Sequence, residues 1–509
     1  MKRQRRHLTV VFLLLFLAAG PAAGQEWTWT GPTNVSNTQY GSYSPNIAIS
    51  PEGDIHVVWE DNTRLRLKYD GSVTVTDILY THYDGAAWST PVQISAMDTN
   101  STFSREPKIA LDSQGNPHVV WTHNGYVPTG EAYYSTLTDT GWTEPTNFTD
   151  DPYSTWLPDI VIDSQDRVHL VWTGLNELGI NDVCYRSLKE GVWSDTVHVT
   201  RMTNRDAAGQ RMALDSQDRV HCVWWRAYWD RVVVYSVFNG ESWSPEVVVS
   251  TPDVPVARSP IIAIDSQDYP HIVWRQVEYA PDTTGATLYV SRVYYTHFDG
   301  QSWIEPEDIL PEGADLPIPS HTIVISNDDT PLVGVNYYED EDEWAHSSLL
   351  YRIDGQWTYP YPYTTESHST SQSIVVDENN SLHVAITNRA NTGEFCEIHY
   401  YRGDRTDGIL DKIIQLPQNL LLLSSYPNPF NSTVSLRFAL PARSAIKLIV
   451  YNSQGRRVLL LDSSVLPPGS YVRIWKGVNE KGEPVSSGVY FVQLITDKKS
   501  ISQRITLVR

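Results

Sequence analysis

The chain is 509 residues long, 41% apolar and 19% charged, with 18 Trp, 29 Tyr and 31 Pro, and so much aromatic content excludes wholesale disorder because ample apolar surface is available to bury. Thirty-eight Lys and Arg against 60 Asp and Glu leave a net charge of -22, which argues against nucleic acid as a partner. Three cysteines (Cys184, Cys222, Cys396) are too few, and odd in number, for a disulfide framework.

The chain opens with Lys2, Arg3, Arg5 and Arg6, runs apolar from Leu8 to Ala19 and reaches the small residues Ala22, Ala23 and Gly24. A basic head, a short apolar stretch and a small-residue exit predict a secretory signal peptide over residues 1–24. An uncleaved anchor is the alternative, but the apolar run falls short of the roughly 20 residues of a bilayer span. No later stretch is apolar enough to cross a bilayer, so no transmembrane segment is expected after signal cleavage.

Residues 25–416 repeat one pattern. The segment Lys108–Trp121 recurs at Asn46–Trp59, Asp159–Trp172, Arg211–Trp224 and Ile261–Trp274, and more weakly at Thr322–Val335 and Ser373–Ile386. The turn positions Ser50, Asp112, Asp163, Asp215, Asp265, Ser326 and Asp377 lie 62, 51, 52, 50, 61 and 51 residues apart. Each copy reads as a hairpin: a short apolar run, a polar turn with Gly115 or an Asp where a left-handed residue is needed, and a returning β-branched and aromatic strand. A second hairpin ending in Trp88, Trp142, Trp193, Trp243, Trp303 or Trp357 follows six of the copies. Four strands per unit of about 50 residues predict an all-β, seven-bladed β-propeller. Trp29–Ser36 resembles the outermost-strand segment Trp142–Thr149 and stands before any inner strand of its own, so it is a candidate to close the last blade; Asp411–Leu416 competes for that place.

Six His residues (His56, His118, His169, His221, His271, His383) share one repeat position, which argues for hydrogen bonding inside each blade rather than for a metal or a catalytic base. No metal and no cofactor is expected. The hairpin Thr296–Trp303 loosely resembles the Asp-box hairpin of sialidase-like propellers, although Asp299 and Gly300 are adjacent here where the box separates them by one residue.

Chemistry in such a ring is expected where unrepeated loop residues converge on the central channel. Arg105, Trp156, Trp225, Arg226, Arg275 and Tyr337 are the candidate ligand-binding residues, since aromatic faces beside guanidiniums suit sugar rings and acidic groups. Catalytic residues are not assigned. Arg105, Arg226 and Arg275 come from different blades, and Arg105-Glu106-Pro107 stands where sialidases carry Arg-Ile-Pro; the resemblance implies a carboxylate clamp, with Tyr337 and Glu278 as the nearest match to the nucleophilic pair it would need. The acidic run Glu339–Glu343 lacks the alternating ligand spacing and turn glycine of a calcium loop and reads as a solvated loop.

The end of the chain changes texture. Residues 424–509 carry 12 Lys or Arg against 4 Asp or Glu, whereas residues 25–423 carry 22 against 56, so a boundary is expected after Leu420–Leu423, with a linker at 417–424 and a domain at 425–509. Val434, Leu436 and Phe438, then Ile446, Leu448 and Val450, then Tyr490, Val492 and Leu494 alternate with polar or small neighbours, which predicts a small antiparallel β-sandwich. Tyr426-Pro427-Asn428-Pro429-Phe430-Asn431, Leu448–Arg456, Gly469-Ser470-Tyr471, Trp475, Gly477, Asn479 and Ser487–Phe491 resemble the C-terminal sorting domain of type IX (Por) secretion cargo. That resemblance implies an Ig-like fold for residues 425–509 and delivery through outer-membrane secretion machinery to the surface or exterior of a bacterium. The function expected is extracellular binding of a glycan or surface protein on the propeller face; the alternatives are a sialidase-like glycoside hydrolase with an arginine-rich axial site and a purely structural surface protein.

Overall fold

The repeats form strands because each apolar run is bounded by turn residues that stop it. In blade 2 these strands are Phe103–Leu111, Pro117–Asn124, Glu131–Thr138 and Thr146–Asn147, joined antiparallel in that order. The computed structural model describes residues 27–405 and 421–508 apart from short loop segments, the longest of which are 311–320 and 338–345. Residues 1–26, with the expected signal peptide, lie outside the described residues, as do Asp411–Leu416 and the run Glu339–Glu343.

Seven blades of four main strands follow one another, the sheets of blades 1 and 2 joined by a single parallel pair at Thr76 and Phe103, with first strands Ser42–Ile49, Phe103–Leu111, Thr155–Ile162, Ala207–Leu214, Val256–Ile264, His321–Ile325 and Ser367–Val376. The seventh takes its outer strand from the other end of the chain: Trp27–Asn34 pairs antiparallel with Glu397–Arg405, Trp27 facing Arg405 and Asn34 facing His399. The two long periods are blades 1 and 5, whose middle hairpins are extended: Ile55–Lys68 with Gly71–Tyr83, and Pro270–Pro281 with Thr287–His297.

The repeated side chains knit the ring. Trp59, Trp121, Trp172, Trp224 and Trp274 are fully buried. Each of the six imidazoles stays in its own blade, with Nδ1 2.6–2.8 Å from a tyrosine hydroxyl: Tyr80, Tyr134, Tyr185, Tyr235, Tyr295 and Tyr400. In blades 3, 4, 5 and 7 the turn Asp accepts from Nε2 at 3.0–3.3 Å, which leaves Nδ1 to accept from the tyrosine. The second-hairpin Trp of the following blade meets each tyrosine edge-on, with centroids 4.9–5.7 Å apart.

A second inter-blade clasp lies at the hairpin turns. Ser113, Ser164, Ser216 and Ser266 each donate their N–H and hydroxyl to the Asp of the next blade's turn (Asp166, Asp218, Asp268, Asp329) at 2.6–2.9 Å. Asn327 N–H donates likewise to Asn380 at 2.7 Å. These acceptors occupy the left-handed turn position, φ 58–65°, where Asp and Asn are tolerated. Blades 1 and 2 carry Gly53 and Gly115 there instead, and the donor position facing Gly115 is Pro51, which has no N–H. Donor and acceptor are thus lost together at that seam.

The C-terminal unit is a β-sandwich. One sheet joins Leu421–Tyr426, Val434–Leu440 and Gly469–Trp475; the other joins Arg457–Asp462, Ser444–Asn452, Gly488–Thr496 and Ser500–Leu507. The alternating residues read from the sequence are its core: Val434, Leu436, Phe438, Leu448, Val450, Val492 and Leu494 have no exposure. The strand Leu421–Tyr426 starts inside the segment expected to be a linker, because the leucine run has a partner in Val434–Leu440 to pair against.

Candidate functional site

The inner strands do not run straight into the channel. Five of them insert one extra residue relative to their partner strand, at Ser44, Glu106, Leu157, Gly209 and Ser259, each with φ between 52° and 66°. Four of the five precede a proline (Pro45, Pro107, Pro158, Pro260), which cannot donate to the ladder and so breaks it there. The bulge interrupts the ladder near the start of each of these first strands and re-aims the residues on either side of it.

Just past the bulge, one repeat position holds Asn46, Lys108, Asp159, Arg211, Ile261, Thr322 and Ser373 in successive blades. Their polar groups bridge blades: Asn46 Nδ2 donates to Ser373 Oγ at 3.0 Å, Ile109 N–H donates to Asn46 Oδ1 at 2.9 Å and Met212 N–H to Asp159 Oδ2 at 2.8 Å. Lys108 is in electrostatic contact with Arg211, Asp159 and Glu106; burial, reinforced by Arg211, pushes its ammonium down to about 8. Arg211 also acts on Glu106 in blade 2 and on His321 in blade 6, so its charge is felt across the channel.

Above this ring, Glu60 of blade 1 accepts the Glu106 N–H at 3.2 Å. Burial raises the pKa of both carboxyls, opposed at Glu60 by that hydrogen bond and by Arg105, and at Glu106 by Arg211, Lys108 and Arg105. On the other side, Arg258 and Arg275 face each other across neighbouring strands of blade 5. The Arg275 guanidinium donates through Nε and Nη2 to Ser291 Oγ at 3.1 and 2.8 Å, and burial together with Arg258 lowers its pKa. The Arg258 guanidinium sits 5.4 Å from the ring centre of Trp225. His321 is 5% exposed; its Nε2–H donates to Ser259 O at 2.7 Å, and burial pulls the imidazole down to about 4, so it is neutral.

Of the residues singled out from the sequence, Arg105, Trp156, Trp225 and Arg275 stand on the mouth ends of first and second strands, half-buried except for the exposed Arg105. Arg105 lies 4.9 Å from the ring centre of Phe103. Arg226 is directed elsewhere: its Nη1 pairs with Glu246 at 3.3 Å, beside the outer strand of its own blade. The side chains of Tyr337 and Glu278 lie outside the described residues. Sequence reasoning passed over Lys108, Asp159, Arg211 and His321. The first three sit inside the repeated segment, where the repeat hides them, although their position changes chemistry from copy to copy.

Residues 424–508 match the secretion system C-terminal sorting domain. No curated protein matches the chain by sequence. Among solved structures, the chain is similar to an α-L-arabinanase from Penicillium chrysogenum complexed with arabinobiose (13% identity, TM-score 0.44, covering 74% of this chain and 98% of that one). It is also similar to an ulvan lyase of polysaccharide lyase family PL25 (13%, 0.48, 73% and 95%) and to the NanB sialidase of Streptococcus pneumoniae (10%, 0.41, 75% and 70%). At these identities the likeness concerns fold alone. The chain is a seven-bladed β-propeller carrying a type IX C-terminal sorting domain, a tail that marks it for export to the bacterial cell surface or the extracellular space.

Proposed function

We propose that this exported protein is a glycan-binding protein whose ligand sits at the mouth of the propeller channel. The observation that carries the reading is the division of labour among side chains. The repeated His, Tyr, Trp and Asp residues are occupied in holding blades together, whereas the unrepeated Trp156, Trp225, Arg105, Arg258 and Arg275 gather at bulged strand ends on one face. Half-buried indoles offer flat apolar faces for sugar rings, and guanidiniums offer planar donors for sugar oxygens. Residues 25–423 carry 22 Lys or Arg against 56 Asp or Glu, so their net field repels anions and any attraction for one must come locally from the guanidiniums at the mouth. The test is a glycan-array screen of the full chain beside its Trp156→Ala and Trp225→Ala variants. Binding that weakens in these variants supports the reading; an array with no bound glycan overturns it.

A hydrolytic use of the same mouth is the second reading, favoured by Glu60 and Glu106. Two carboxyls from adjacent blades, both raised by burial, are the group types a glycosidase uses as acid and base. Turnover of fluorogenic glycosides that disappears in Glu106→Gln supports it. Binding without turnover leaves the protein a lectin-like module.

A further inference from the structure

Blade 1 is fastened to its neighbours differently from the other six. The clasps at the hairpin turns join blade 2 to 3, 3 to 4, 4 to 5, 5 to 6 and 6 to 7. At blade 1 both halves of the clasp are missing. Its acceptor position is Gly53, where a Cβ would meet nothing within 4 Å, so the space that Asp or Asn takes in blades 3 to 7 stands open. Its donor position is Pro51, which has no N–H, and the position opposite is Gly115. Among the described residues, the seams on either side of blade 1 are therefore unclasped. The tie inside the turn is absent as well. Ser50 stands where blades 3, 4, 5 and 7 set a carboxylate against the histidine Nε2, and His56 Nε2 is buried without a partner.

The mouth end of the same blade is tied on both sides. Ser42 N–H donates to Cys396 O of blade 7 at 2.8 Å, and Val35 N–H, in the segment that leads into blade 1, donates to Ile398 O at 2.9 Å. Asn46 joins blade 7 through Ser373 at 3.0 Å and blade 2 through the Ile109 N–H at 2.9 Å. Glu60 accepts the Glu106 N–H of blade 2 at 3.2 Å, and Thr76 pairs with Phe103. Aromatic packing does not set blade 1 apart, because Tyr80–Trp142 and Trp88–Tyr400, at 4.9 and 5.1 Å, fall within the range of the other seams. Solvent-facing hydrogen bonds contribute little one by one, but local openings of a folded chain are separated by energies of that same size. A blade held at one end and unclasped at the other has a hinge and a free edge.

We propose that blade 1 is a hinged segment of the ring, which swings open at its turn end while its mouth end stays fastened. The hinge contacts include Glu60 with Glu106 and Asn46 with Ile109, so an opening at the far face bears on the polar groups of the channel mouth.

The experiment is amide hydrogen exchange of the full chain, read as protection factors for the first hairpin of each blade. Asn46–Trp59 of blade 1 should be protected on the order of tenfold less than Asp159–Trp172 of blade 3 and Arg211–Trp224 of blade 4. Blades 2 and 7, with one unclasped seam each, should fall between, and within blade 1 the loss should be greatest beside the turn. The double variant Asp166→Gly with Asp218→Gly removes both clasps of blade 3 without backbone strain, since these positions have φ 58° and 60°. It should bring blade 3 down to the protection of blade 1, again on the order of tenfold, and leave blade 1 unchanged. Blade 1 protected as well as blades 3 and 4 overturns the proposal, as does a blade 3 indifferent to the loss of its clasps. Blade 7 as the least protected overturns it too, because the meeting of the chain's two ends would then govern opening. Should the double variant fail to fold, the gradient across blades of the wild-type chain decides alone.

Discussion

Blade 1 departs from the other His-bearing blades at one atom, and that departure sets a measurable quantity. His56 shares its tyrosine contact with its five counterparts, 2.8 Å to Tyr80, but the turn residue facing its Nε2 is Ser50 where the others have Asp. The counterparts have a carboxylate 3.0–3.6 Å from Nε2; His56 Nε2 is buried without a partner. Burial, helped by the nearby His82, pulls the His56 imidazole down to about 4 from an ordinary 6.5. Replacing Ser50→Asp should supply the missing acceptor. One hydrogen bond to a charged group contributes about 1.5–3 kcal/mol, from which desolvation of the new carboxylate subtracts, so a net gain of about 1 kcal/mol is expected. The His56 titration midpoint should rise by about one unit or more, each unit corresponding to about 1.4 kcal/mol. Imidazole NMR titration of wild type and Ser50→Asp reads this directly, with Ser50→Ala as the control that adds no charge. A midpoint that stays near 4, or falls, in Ser50→Asp refutes the view that the turn Asp completes the His–Tyr pair.

The same imidazoles set an acid limit. His56, His118, His169, His221, His271 and His383 all have folded pKa values lowered chiefly by burial, so the unfolded chain binds more protons below pH 6.5; stability is full above that value and falls as pH drops toward the folded pKa values. Thermal melts of the wild-type chain should therefore show a midpoint that declines steadily from pH 7 to pH 4.5, and a flat profile contradicts the neutral, buried assignment. At the blade clasp, Asp218→Gly removes the acceptor for Ser164 without backbone strain at φ 60°, and should cost under about 1 kcal/mol because both bonds face solvent; Asp218→Ala should cost more, since it adds left-handed strain. At the mouth, a Cβ at Gly209 would stand 2.6 Å from Trp225 Nε1, so Gly209→Ala should displace that indole and weaken glycan binding by more than it lowers the melting temperature.

How much of this was legible in the chain depends on what each residue answers to. Blade number followed from turn residues about 50 positions apart, and the closing strand from the likeness of Trp29–Ser36 to Trp142–Thr149; both are local patterns that one copy teaches and the others repeat. The sandwich core was legible for the same reason, since Val434, Leu436 and Phe438 alternate with the pleat. Contacts between blades were not. Nothing near Ser164 in sequence points to Asp218, and the edge-on packing of Trp193 on Tyr134 joins residues 59 positions apart. Arg226 was read as facing the channel because it ends a second strand, yet strand alternation turns it outward to Glu246 while Trp225, one residue earlier, meets Arg258. Lys108, Asp159 and Arg211 were obscured by the very repetition that revealed the fold.

The most direct measurement of the whole account sets ligand binding against thermal stability in two variants of the full chain. Arg275→Ala changes an unrepeated residue at the hub, and Asp215→Ala changes a repeated one whose carboxylate accepts from Gln217 N–H, Arg219 N–H and His221 Nε2. Arg275→Ala should lose glycan binding while melting within a degree or two of wild type; Asp215→Ala should melt markedly lower and, while folded, bind as wild type does. The reverse pattern, with binding abolished by the blade carboxylate and untouched by the hub arginine, contradicts the assignment of repeated side chains to structure and unrepeated ones to recognition.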